Sequence, residues 1–155
     1  MGTIKYAHTN IVARDWRALA QFYQQVFDCE PIPPERDYRG DWINKVTAIT
    51  GPVEIKGIHL RLPGHGPHGP TLEIFQYNRQ PVRHSTAVNQ PGFAHIAFHV
   101  DDVTATRSAV LAAAGNDLGQ QHSMQVAGAG NITLIYMTDP EGNVVELQHW
   151  GGNDE

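Results

Sequence analysis

One pattern is written twice along this chain, and it limits the possible folds more than any other feature. Residues 4–12 carry apolar and β-favouring side chains around His8. Asp15 then stands where a helix cap is needed, and Trp16, Leu19, Tyr23, Val26 and Phe27 follow at helical spacing. Residues 92–100 repeat the strand around His95, Asp101 or Asp102 offers the cap, and Val103, Val110, Leu111 and Ala114 carry a helix that stops at Gly115. Three segments with strand character come after each helix: 44–50, 55–62 and 72–77 in the first half, and 122–126, 132–137 and 143–150 in the second. Each half therefore reads βαβββ. The Gly/Pro-rich stretch 62–70 and Asp139-Pro140-Glu141-Gly142-Asn143 cannot continue a strand, and each sets off the last strand of its half. The expected class is α+β: two tandem βαβββ modules, 1–80 and 92–150, with mixed sheets within one domain spanning 1–155. The polar linker with Pro81 and Pro91 marks the boundary. Each half is too small to bury much core alone, which favours a shared cavity.

Composition narrows the function. With 155 residues and 41% hydrophobic composition the chain can build an ordinary core. A net charge of −5, with basic residues scattered, argues against nucleic acid as a partner. The N-terminal residues lack the apolar core of a signal peptide, and no run approaches the roughly 18 apolar residues of a membrane span. The expectation is a cytoplasmic protein with no membrane partner. Cys29 is the single cysteine, so no internal disulfide or thiolate cluster is possible, and its place at a helix end suits a small apolar filler. Any metal here must use histidines and carboxylates.

Side chains alternate across a strand, so His8 shares a face with Tyr6 and Asn10, His95 with Phe93, Ala97 and His99, Glu73 with Thr71, Phe75 and Tyr77, and Glu146 with Val144, Gln148 and Trp150. A carboxylate inside a strand of Leu, Ile, Phe and Val is costly to bury unless it is paired or bound to a cation. Both glutamates lie on the last strand of their half, and both histidines on the first. Two imidazoles and two carboxylates suit one divalent ion, Zn, Ni, Co, Mn or Fe, with positions left for water or substrate. Asn10, His59, Arg61 and His99 have the parity to line the same pocket. His65 and His68, in the Gly/Pro-rich loop, read as solvated, and His84, His122 and His149 carry no stronger signal.

These residues resemble the vicinal oxygen chelate superfamily, which includes glyoxalase I, methylmalonyl-CoA epimerase, extradiol dioxygenases, fosfomycin-resistance enzymes and bleomycin-binding proteins. The likeness rests on His8 with the following helix, on Phe93-Ala94-His95-Ile96-Ala97-Phe98-His99-Val100-Asp101-Asp102-Val103, and on Asp139-Pro140-Glu141-Gly142-Asn143-Val144-Val145-Glu146-Leu147. It implies curved mixed sheets around a metal cavity, a small-molecule substrate, a homodimer, and metal ligands at His8, His95 and Glu146. Glu73 matches a fourth ligand found in the glyoxalase I and epimerase branch. Two features depart from that branch: no second acid/base glutamate occurs between Asp41 and Thr50, and Val12 stands where bacterial-type glyoxalase I carries an arginine. The reading that follows is a metal-dependent lyase or isomerase. It would remove a proton next to a carbonyl through an enediolate, with Glu146 as first choice of base and Glu73 as second. The alternatives are Fe(II)-dependent ring cleavage of a catechol, helped by His99 or Tyr136, and a non-catalytic drug- or metabolite-binding protein.

Overall fold

The computed structural model describes residues 2–85 and 87–151. The chain forms two compact units, Met1–Arg83 and His84–Glu155. In the first, β1 (His8–Val12) leads into α1 (Trp16–Phe27), followed by β2 (Glu30–Arg39), α2 (Asp41–Thr47), β3 (Glu54–Arg61) and β4 (Thr71–Tyr77). The sheet order is β1-β4-β3-β2, with β1 parallel to β4 and the other pairs antiparallel. The second unit runs β5 (His95–His99), α3 (Val103–Ala112), β6 (Asn116–Asp117), β7 (His122–Val126), β8 (Gly130–Thr138) and β9 (Val144–Gly151). Here β5 is parallel to β9, β9 pairs with β8, and both β6 and β7 pair with β8. The two sheets are thus mixed in the same way, as expected for paired βαβββ modules.

Both long helices begin where the sequence supplies a cap. The Asp15 carboxylate accepts the backbone N–H groups of Arg17 and Ala18, and that of Asp102 accepts the Ala105 N–H at 2.9 Å. The apolar stripe of α1 (Trp16, Leu19, Ala20, Tyr23, Phe27) is buried on β3 and β4, where Leu60, Leu72 and Ile74 are almost fully enclosed. In the second unit Val103 and Val110 of α3 lie over Ile135, Met137, Val145 and Leu147 of β8 and β9. The helices thus cover one face of each sheet. His8 and Glu73, and His95 and Glu146, lie on the opposite faces.

Three expectations need correction. Segment 44–50 is not a strand: α2 occupies Asp41–Thr47, with Asp41 in its first turn, Lys45 in its last, and Ile43 fully buried against Val53, Ile55 and Phe75. The apolar residues there follow helical rather than alternating spacing, and the charges suit the helix dipole. The strand in that part of the chain is β2, although it contains Pro31, Pro33 and Pro34. Among the described residues β2 is an edge strand paired with β3, and a bulge between Ile32 and Arg36 takes up Pro33 and Pro34, joined by a cis peptide, while Pro31 stays in register opposite Leu60. The first strands are also shorter than their apolar runs, starting at His8 and His95.

The edge of the second sheet is interrupted in a similar place. Residues 118–121 separate β6 from β7, and the Leu118 and Gly119 N–H groups both reach the Tyr136 carbonyl. No helix among the described residues is long and apolar enough to cross a membrane.

Candidate metal centre

The first unit assembles its polar cluster on the sheet face opposite α1. Cross-strand register sets Glu73 of β4 beside Asn10 of β1 on one side and His59 of β3 on the other. Only 9% of Glu73 is exposed, and its carboxylate is held from three directions. Asn10 donates its amide N–H to Oε1 at 2.8 Å, His59 Nε2 is 2.6 Å from Oε2, and His8 Nε2 approaches Oε1 at 3.6 Å. The other ring nitrogen of His59, Nδ1, lies 3.0 Å from the Thr71 hydroxyl, which fixes the plane of the ring. Burial pushes the His59 pKa down, against the opposing pull of Glu73, so the ring is neutral near pH 7 and keeps a lone pair. Tyr77, four residues on from Glu73, is raised by burial and by the Glu73 charge and stays a phenol.

The other end of this face is closed by α2. Ile43, Val53, Ile55 and Phe75 form its buried patch, joined by Tyr38 and Tyr77. The Phe75 ring lies over Gly57, where a Cβ would come within 2.0 Å of the Ile74 carbonyl, so no larger residue fits there.

The second unit builds a smaller version. Glu146 of β9 is 8% exposed and lies opposite Tyr136 of β8 and beside Ala97 of β5. His95 Nε2 is 3.0 Å from Glu146 Oε2, and the Tyr136 hydroxyl donates to the same carboxylate. Burial first, and then the Glu146 charge, raise the Tyr136 pKa and keep it a donor. Its ring centre is 5.1 Å from that of His95. The turn that aims Glu146 is rigid. Asp139, fully buried, accepts the N–H groups of Glu141 and Asn143, both at 2.9 Å, and the Asn143 side-chain amide at 2.7 Å.

Of the four ligands expected from sequence, the structure therefore brings His8 to Glu73 and His95 to Glu146. Among the four pocket candidates, Asn10 and His59 touch Glu73 directly. Arg61 turns to an ion pair with Glu30 at 2.5 Å, and His99 stacks on His149 with ring centres 5.4 Å apart. The direct contacts of His59 and Tyr136 with the glutamates go beyond the roles first given to them, and a signal for both is present in the sequence. His59 and Glu73 lie at equal distances either side of Gly66, and Tyr136 and Glu146 at equal distances either side of Glu141. An antiparallel pair folded about those turns must bring them opposite each other.

The donor set fits a divalent cation. Two buried carboxylates face imidazole nitrogens, an arrangement that gains from a cation.

The sequence pattern of the glyoxalase/bleomycin resistance protein/dioxygenase superfamily matches residues 5–147. Solved structures with the same fold include a glyoxalase family protein from Bacillus cereus, 17% identical over 98% of this chain and 97% of that one, with a TM-score of 0.81. The genomically encoded fosfomycin resistance protein FosX from Listeria monocytogenes is 18% identical over 97% and 96% of the two chains, with a TM-score of 0.60. A second structure of that protein, complexed with Mn(II) and sulfate, is 16% identical over 97% and 95%, with a TM-score of 0.54. A search of curated proteins finds no significant match to the chain.

Proposed function

We propose, for a chain that belongs to the glyoxalase/bleomycin resistance protein/dioxygenase superfamily, that His8, Glu73, His95 and Glu146 ligate a divalent metal ion and that the protein is a lyase or isomerase. Its substrate would be a small molecule with two vicinal oxygens. The observation that carries this reading is Glu73. A chain that needed only two histidines and one carboxylate would have no reason to bury a second carboxylate at the matched strand position, beside a second histidine.

A bound divalent ion would supply positive charge beside the two substrate oxygens, lowering the cost of taking a proton from the adjacent carbon. The remaining work falls to the chain. Glu146 accepts that proton, because among the described residues its carboxylate is held by His95 and by a phenol, and Ala97 offers nothing in the place where Asn10 grips Glu73. Glu73 stays in place, fixed by Asn10 and His59. Tyr136 donates to Glu146 and orients it, and the apolar patch of Ile43, Val53, Ile55 and Phe75 keeps water from one end of the first unit's polar face.

The test is proton exchange. Protein loaded with Zn(II), Ni(II), Co(II) or Mn(II) is incubated in D2O with a panel of α-hydroxycarbonyl compounds and thiol hemithioacetals, and deuterium incorporation next to the carbonyl is followed by NMR. Metal-dependent exchange that disappears in Glu146→Gln is the expected result. Oxygen uptake with catechols on Fe(II) loading, and no exchange with any metal, would contradict the reading.

A further inference from the structure

The two units differ at one matched position. His59 and Tyr136 occupy the same place, directly across an antiparallel pair from the glutamate of their unit, and both contact its carboxylate. A neutral phenol is a poor ligand for a divalent ion, whereas imidazole is among the best. In the first unit the donor atoms of His8, His59 and Glu73 all lie within 4.8 Å of one another. The two rings meet edge to face, 5.5 Å between centres, and approach different oxygens of one carboxylate. His59 also has the anchoring that metal-bound histidines have, since Nδ1 rests on the Thr71 hydroxyl and Nε2 points into the cluster. Thr71 can accept from Nδ1 as well as donate to it, so the ring can take the tautomer that leaves Nε2 free for a cation.

We infer that His59 is a further metal ligand, completing with His8 and Glu73 a set of two imidazoles and one carboxylate contained in the first unit. This rests on the reading above that the His8–Glu73 pair faces a metal. The first unit then holds the ion with its own three side chains, and the His95–Glu146 pair is not needed for binding. The asymmetry also accounts for the division of labour between the glutamates. The unit with the second imidazole keeps the ion in place, and the unit with the phenol leaves its carboxylate free to move a proton.

The inference is tested on the full chain with Zn(II) as probe, by calorimetric titration and by X-ray absorption to count imidazole nitrogens. In His95→Ala/Glu146→Gln, one equivalent of Zn(II) should still bind, more weakly than in the unmodified protein, with two imidazole nitrogens. Adding His59→Ala should cost at least about a further hundredfold, beyond what loss of an outer hydrogen-bond partner commonly costs, and leave at most one imidazole. His59→Gln, which can still donate to Glu73, serves as a fold control: it should melt like the unmodified protein without metal, yet fail to restore the second imidazole. If the double variant binds no Zn(II) while the unmodified protein does, the inference falls and the four-residue reading stands. Equal affinity and equal nitrogen count with and without His59 would also overturn it. If the unmodified protein binds no Zn(II) or other divalent ion, both readings fall together.

Discussion

Residue identity at matched positions separates the roles of the two glutamates. Asn10 and His59 grip Glu73 at 2.8 and 2.6 Å, while Glu146 has Ala97 where Glu73 has Asn10. Glu146→Gln should therefore keep the fold and still bind the metal, though more weakly, while slowing proton exchange at saturating metal by at least about a hundredfold, the scale of a lost general base. Glu73→Gln should instead weaken metal binding by at least about tenfold, because a neutral amide oxygen replaces an anionic one. Full exchange activity in Glu146→Gln would move the base to Glu73. Cys29 makes a separate prediction. It is 2% exposed, and burial pushes its pKa up to about 12 from an ordinary 9.0. A thiol whose pKa is raised by folding favours the native state fully at pH below 9, and that contribution is lost as pH rises toward 12 because the unfolded chain ionises first. Denaturation midpoints should fall over that interval in the native protein and fall less in Cys29→Ala. Identical pH profiles for the two would show that the thiol is not the cause.

At the scale of elements, the parts of the fold that follow from local chemistry were legible in the sequence. Asp15 and Asp102 cap the helices, and period-two alternation puts Asn10, His59 and Glu73 on one face, where the register sets them side by side. What was not legible depended on neighbours. Three prolines argue against a strand over Glu30–Arg39 until it is known to be an edge, and the apolar run around Ile43 resolves into α2 only because Val53, Ile55 and Phe75 offer it a surface. The partnership of His59 with Glu73 was open to hairpin arithmetic, but only once the turn near Gly66 was centred. The turn at Asp139 can be tested directly. Asp139→Ala leaves three N–H donors without their charged acceptor, a loss on the order of 3 kcal/mol. The melting midpoint should fall by about 6–12 °C, with a loss of metal affinity as the start of β9 loses its anchor. An unchanged midpoint would show that the turn does not set the position of β9.

Across the whole molecule, one scaffold is used twice with different chemistry laid on it. Each unit has a parallel strand pair between its first and last strands, a capped helix on one face, and a buried glutamate facing a histidine on the other. A chain of net charge −5 that buries Glu73 and Glu146 beside imidazoles is one whose stability should rise on taking up a cation. Metal ligation by both Glu73 and Glu146 is the proposal on which the rest depends. The most direct measurement is a crystal structure of the unmodified protein loaded with Zn(II) or Mn(II), the ion located by anomalous scattering. Oxygens of both Glu73 and Glu146 are expected at about 2.0–2.2 Å from bound metal. Glu73 beyond about 3 Å from any bound ion, outside the distance of a direct metal–oxygen bond, would contradict it.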